Sequence, residues 1–164
     1  MKEEISYYDR ALTGKWKEGN LAKAWRRKYP EVFDDDDLRL ASSQPRYHFL
    51  EWLAAVQYFE RGYLALVEQY IYETHPRKVA IVQDLVGPEG LTFLRENKSA
   101  QPPDLLVYTG SRTDFFFVEV KGPKEKLSLR QENAFGQIES YFGREITVLR
   151  LYAQKAQEGS KNDD

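Results

Sequence analysis

Pro103-Asp104-Leu105-Leu106-Val107-Tyr108, followed after a polar turn by Phe115-Phe116-Phe117-Val118-Glu119-Val120-Lys121-Gly122-Pro123, is the stretch whose reading decides the fold. Both runs are short, apolar and rich in branched or aromatic residues, so each reads as a buried strand. The turn at Thr109–Thr113 makes them a hairpin. Side chains alternate along a strand, so Glu119 and Lys121 emerge on the same side, roughly 7 Å apart along the chain. Phe116, Val118 and Val120 point the other way. A carboxylate and an ammonium at the end of an apolar strand are costly to bury without a reason. Gly122-Pro123 stops the strand directly after the lysine and leaves it at an edge or mouth. Asp104 opens its own strand behind two prolines that hold the chain extended. Two strands that each carry a carboxylate at one rim bring Asp104 and Glu119 within reach of one hard cation.

Composition limits what such a rim can do. The chain of 164 residues is one domain by size, large enough for a core plus an N-terminal extension. No apolar run approaches the ~20 residues that span a bilayer, and Met1-Lys2-Glu3-Glu4 is no secretory signal, so no membrane partner is expected. Without cysteine there are no disulfides or thiolate metal sites, which fits a cytoplasmic setting. His48 and His75 are not at ligand spacing, so any metal is oxygen-ligated, as magnesium or manganese are. A net charge of −2 argues against coating nucleic acid by bulk attraction. The charge is uneven, however: Lys121, Lys124, Lys126 and Arg130 face one acid, Glu125, and form a positive rim beside the two carboxylates.

Outward from the hairpin, Ser128-Leu129-Arg130-Gln131 is a capping box opening a helix to about Phe142, ended by Gly143. A last strand follows over Ile146–Tyr152. Upstream, Phe49, Trp52, Leu53, Val56 and Phe59 recur at helical steps over residues 46–61, and Gly62 ends that helix. Tyr63–Tyr72 reads as the first strand. Residues 76–98 read as a helical insertion broken at Gly87-Pro88-Glu89-Gly90, with no phosphate-loop spacing and so no nucleotide cofactor. Residues 1–45 are expected to be a helical extension and linker. Within them a short helix spans Asn20–Tyr29, Asp34–Asp37 is a solvated loop with Asp36 or Asp37 capping a turn, and Ala41–Pro45 is the linker. Lys15-Trp16-Lys17 and Trp25-Arg26-Arg27-Lys28 interleave cations with aromatics; packing of the tryptophans on the main domain is preferred over a grip on nucleic acid. Residues 46–153 then form the core domain, and 154–164 a disordered tail.

Pro103-Asp104…Glu119-Val120-Lys121 resembles the PD-(D/E)XK nuclease motif, and Glu119-Val120-Lys121-Gly122-Pro123 with Leu127-Ser128 and Gln131 resembles its VRR-NUC branch. The resemblance covers Arg46 to Tyr152. It implies an α/β, restriction-endonuclease-like core with a mixed central sheet flanked by helices. It further implies a metal-dependent endonuclease hydrolysing phosphodiester bonds in DNA, duplex or branched, such as four-way junctions, and acting as a homodimer. Asp104, Glu119 and the Val120 carbonyl would hold Mg2+ or Mn2+, with Lys121 orienting water and stabilising phosphate charge. Lys124, Lys126, Arg130 and the helix end at Ser128 would seat backbone phosphates. The family also has a glutamine near the active site at the place of Gln131, a residue that capping alone would explain. A glutamate from the helix before the first strand often helps hold the metal. Glu51 fits that place, with Glu60 and Glu68 as rivals and a solvent-facing glutamate as the plain alternative. The rival function is a catalytically inactive nucleic-acid- or protein-binding module on the same fold.

Overall fold

The hairpin forms as read. In the computed structural model, which describes residues 1–97 and 101–155, Leu105–Tyr108 pairs antiparallel with Phe115–Lys121, Leu105 opposite Val118 and Tyr108 opposite Phe115. In chain order the strands are β1 (Lys2–Asp9), β2 (Leu64–Val67), β3 (Leu105–Tyr108), β4 (Phe115–Lys121) and β5 (Thr147–Gln154). The helices are α1 (Ala11–Lys17), α2 (Asn20–Lys28), α3 (Asp35–Ser43), α4 (Phe49–Glu60), α5 (Pro76–Glu96) and α6 (Leu129–Phe142). The strands form one mixed sheet in the order β1-β5-β4-β3-β2. β3 pairs antiparallel with both β2 and β4, whereas β4–β5 and β5–β1 are parallel.

Strand alternation divides the core into two layers. Leu105, Val107, Val118 and Val120 point to one face and pack under α1 to α4, with Trp16, Trp25, Phe33 and Trp52 at the centre. Phe33 stacks on Trp52 at 3.8 Å between ring centroids. Leu106, Tyr108, Phe115 and Phe117 point to the other face, beneath α5 and α6. Glu119 and Lys121 continue this second face, as alternation requires, at the end where apolar cover stops.

Several expectations are corrected here. The N-terminal stretch is not wholly helical: Lys2–Asp9 is a strand in register with β5, Lys2 opposite Thr147 and Asp9 opposite Gln154. Ser6 Oγ also donates to Gln57 Oε1 of α4 at 2.8 Å, so β1 belongs to the core. The acidic run is not a solvated loop. Asp34 caps α3 in a capping box, its Oδ1 accepting from the Asp37 N–H and the Asp37 carboxylate from the Asp34 N–H, and Ala41–Ser43 continue the helix instead of linking domains. The two tryptophans are buried, as the packing reading held. β2 is shorter than expected because Glu68 and Gln69 turn left-handed, with φ of 52° and 49°. The helix over 76–96 bends at Gly87, whose φ of 77° interrupts it before Pro88 restarts it. The tail reading falls on Gln154, the last residue of β5, on Lys155, and on residues that lie outside those described.

Candidate active site

Asp104 stands one residue before β3, opposite the end of β4, and the two strands clasp each other there. The Asp104 N–H donates to Glu119 Oε1 at 3.1 Å, and the Val120 N–H donates to Asp104 Oδ2 at 2.9 Å. On the other side the Glu68 N–H donates to the Asp104 carbonyl at 2.8 Å, which continues the β2–β3 ladder by one rung. The left-handed turn at Glu68 then brings its side chain into the same cavity as Asp104 and Glu51. Backbone hydrogen bonds thus hold the Asp104 and Glu119 carboxylates close to each other.

Glu119 is 4% exposed and Lys121 8%. The Lys121 ammonium lies 3.4 Å from Glu119 Oε2 and 3.4 Å from Gln131 Oε1. Gln131 holds two positions at once. Its Oε1 accepts from the Ser128 N–H at 3.1 Å, completing the cap of α6, while its Nε2 donates to Glu119 Oε2 at 2.9 Å. The capping box therefore delivers an amide onto the buried carboxylate.

Charge accumulates at this rim faster than it is compensated. Burial, then the charges of Glu119 and Glu51, push Asp104 far above the ordinary carboxylate range, against the Val120 N–H that favours its ionised form. Glu51, in the first turn of α4, is pushed up to about 7 by burial and then by Glu68. Burial opposes a charged imidazole at His48, yet its hydrogen bond to Glu68 and the charges of Glu68 and Glu51 outweigh that and raise it. Asp104, Glu51, Glu68 and His48 line one cavity of about 1020 Å³. Glu60 is exposed at the far end of α4 and lines a different groove with Glu4 and Arg61.

Lys124, Lys126, Ser128 and Arg130 are all exposed on the segment between β4 and the start of α6. Arg130 lines a separate recess with Tyr72 and Arg95. The bend itself is clamped: the Gly122 N–H donates to Glu125 Oε1, and Arg150 donates to the carbonyls of Gly122 and Glu125. A Cβ on Gly122 would stand 2.9 Å from Glu125 Oε1, so a side chain there would push the Glu125 carboxylate aside and loosen the clamp.

Sequence reading missed two groups that shape the site, His48 and Lys78. The Lys78 ammonium is 2% exposed and donates to Asp37 Oδ1 at 2.5 Å and to the carbonyls of Val67 and Glu68 at 2.6 and 3.0 Å. Its one sequence signal was a lysine at the buried step of a helix; its carboxylate partner lies 41 residues away.

Among the described residues, no group of three or more histidine or acidic side chains stands in a geometry that would hold a metal ion. The donor set still has the chemistry of a hard-cation site: oxygen ligands only, with Asp104 and Glu119 drawn together in low dielectric. Among the described residues no helix is long and apolar enough to cross a membrane.

A search of curated proteins finds no match. Among solved structures, that of paFAN1 bound to DNA with a 2-nucleotide 5′ flap and a gap is similar, at 16% identity and a TM-score of 0.33. The alignment covers 90% of this chain but 23% of that one, so this chain spans less than a quarter of its length. The family model of the VRR-NUC domain matches residues 45–150, the segment that carries the clasped strands, Lys121 and the helix-capping glutamine. The chain belongs to the VRR-NUC family, a nuclease-type domain, here on an α/β core with a mixed five-stranded sheet.

Proposed function

We propose that this protein is a divalent-metal-dependent endonuclease that hydrolyses phosphodiester bonds in DNA. One observation carries the reading: Asp104, half-buried at the wall of the cavity, is clasped to the buried carboxylate of Glu119, which stands beside the buried Lys121. Folding alone does not reward that arrangement, since a single ammonium, Lys121, faces two carboxylates held together away from water. A substrate that brings phosphate and a divalent cation does.

Asp104 and Glu119, with the Val120 carbonyl, would hold Mg2+ or Mn2+, and Glu51 or Glu68 would extend the set from the facing wall. When bound, the cation supplies Lewis-acid activation of water and neutralises charge developing on the phosphate. Gln131 holds Glu119 in orientation through its amide. Lys121, beside Glu119, would stabilise a non-bridging phosphate oxygen and orient the attacking water. Lys124, Lys126, Arg130 and the N–H groups at Ser128 would seat flanking phosphates, positioning the strand without reading its bases.

Branched DNA is the proposed substrate and a symmetric homodimer the proposed assembly, since two-fold junctions suit paired sites. The cysteine-free chain fits a cytoplasmic setting. The test is a cleavage panel of single-stranded, duplex, flap and four-way DNA with manganese or magnesium, run beside Glu119→Gln, Lys121→Ala and a chelator control. Cutting that both variants and the chelator reduce by about a hundredfold or more supports the reading. Wild-type protein that binds these DNAs but leaves them intact with either metal makes it an inactive binding module instead.

A further inference from the structure

The cavity in front of the carboxylates has an outer wall to which no role has been given. It is built by Trp16 and Lys17 of α1 and by the loop Gln44–His48. Trp16 is buried and forms its floor, so what the wall presents to a ligand is Lys17, Arg46 and Tyr47. Neither cation makes an ion pair among the described residues, although acids are abundant nearby. Tyr47 is 67% exposed, well above the other large aromatics that remain at the surface.

A single exposed tyrosine is ordinary on a protein surface. The way this one is held is not. The Tyr47 N–H donates to the Gln44 carbonyl at 2.9 Å, closing a turn. Its neighbour His48 has a φ of 75°, a left-handed backbone that costs about 1–3 kcal/mol outside glycine. That conformation is sustained by the His48 ring, which bonds Gln44 Oε1 at 2.7 Å through Nε2 and Glu68 through Nδ1. The loop is therefore tied through His48 to Glu68 of the cavity, with the Tyr47 ring exposed at its rim. Preorganisation of this kind lowers the entropy lost on binding.

The chemistry selects the occupant. Acids at depth attract a cation, cations at the rim attract phosphate, and a ring on the rim offers a stacking face. Base faces inside a duplex are already covered by their neighbours, so a ring at the groove edge stacks only on a base that is unpaired or terminal. We propose that the wall of Lys17, Arg46 and Tyr47 seats unpaired nucleotides of a DNA strand next to the bond to be cut, Tyr47 stacking on a base and the two cations holding phosphates. This rests on the nuclease reading and adds to it a preference for single-stranded or frayed DNA over continuous duplex. It also gives the segment before residue 45, which the family match leaves out, a share in substrate binding.

The test is fluorescence-anisotropy binding on a Glu119→Gln background, which prevents cutting, with a labelled single strand, a blunt duplex and a 5′-flapped duplex. Tyr47→Ala is expected to weaken the single strand and the flap about tenfold and the blunt duplex less than twofold, with Tyr47→Trp restoring both. Lys17→Gln and Arg46→Gln are each expected to lower the salt slope for the single strand by about 0.7. Tyr47→Ala binding all three DNAs like its parent overturns the inference, and does so even if the wild type cuts DNA. Stacking-dependent binding with no cutting by the wild type upholds the wall as a seat for unpaired nucleotides and removes the catalytic reading. A wild type that neither binds nor cuts DNA overturns both.

Discussion

At the scale of single residues, the site is a set of ionisable groups held against their preferences. For Glu51 the sign can be followed through. Its folded value of about 7 lies above the ordinary 4.5, so between those pH values the native state keeps a proton that the unfolded state has lost. Stability must therefore fall as pH rises from 4.5 to about 7 and stay lower beyond it. Glu51→Gln is expected to remove that fall, gaining on the order of 2 kcal/mol over wild type at pH 8 without divalent ions. Adding manganese should shrink the gap, because the cation stabilises only the carboxylate. Melting curves across pH, with and without the metal, measure both. Asp34 runs in the opposite sense. Burial alone would raise it, but the Asp37 N–H, Arg77 and Lys78 take it down to about 2. Its contribution is present above 3.8 and lost as pH falls toward 2. Asp34→Asn keeps a capping side chain and loses the charge, so acid unfolding should lose its Asp34-dependent limb.

At the scale of elements, buried contacts between helices and strand ends set how rigidly the site is held. Lys78 of α5 ties the end of β2 to Asp37 of α3, and so fixes the turn that presents Glu68. Lys78→Met leaves the buried Asp37 with the Asp34 N–H and a more distant Arg77 in place of its ammonium partner and should cost about 3 kcal/mol in chemical denaturation, with Asp37→Leu added to it recovering much of the loss. Gly90 sets a second contest. Alanine in a helix is worth about 1 kcal/mol over glycine. Here its Cβ would meet Val86 Cβ at 2.8 Å and Phe142 at 3.1 Å, where α5 packs on α6. Overpacking of about 1–3 kcal/mol outweighs the propensity gain, so Gly90→Ala should lower the melting temperature. The elements legible in the sequence were those specified locally. The β3–β4 hairpin follows from two apolar runs and a short turn, and α6 from Ser128 and Gln131 three residues apart. α3 escaped because its capping box uses Asp37 where glutamate or glutamine is the usual sign. β2 was overdrawn because residues with strand propensity continue past Val67, while the backbone turns left-handed at Glu68.

For the whole molecule, long-range pairing carries most of what the sequence did not show. β1 has no apolar face of its own: Ile5 and Tyr7 are more than half exposed, and only pairing with β5 makes Lys2–Asp9 a strand. The clasp of Asp104 with Glu119 was legible because both lie in one hairpin, whereas His48 and Lys78 reach the site from sequence-distant segments. Residues 1–44 supply Trp16, Trp25, Phe33 and Asp37 to the core. A chain trimmed to residues 45–155 is therefore expected to lose cooperative folding; size-exclusion chromatography and near-UV circular dichroism would show aggregation and a flat aromatic spectrum. The same pairing has a consequence for biosynthesis. Strand Lys2–Asp9 leaves the ribosome well before Thr147–Gln154, the neighbour it needs, exists. At translation speeds of 5–20 residues per second, the nascent strand waits roughly 7–30 s. During that interval it offers bare hydrogen-bonding groups to chaperones, and a polypeptide that stops short of Thr147 cannot close its sheet.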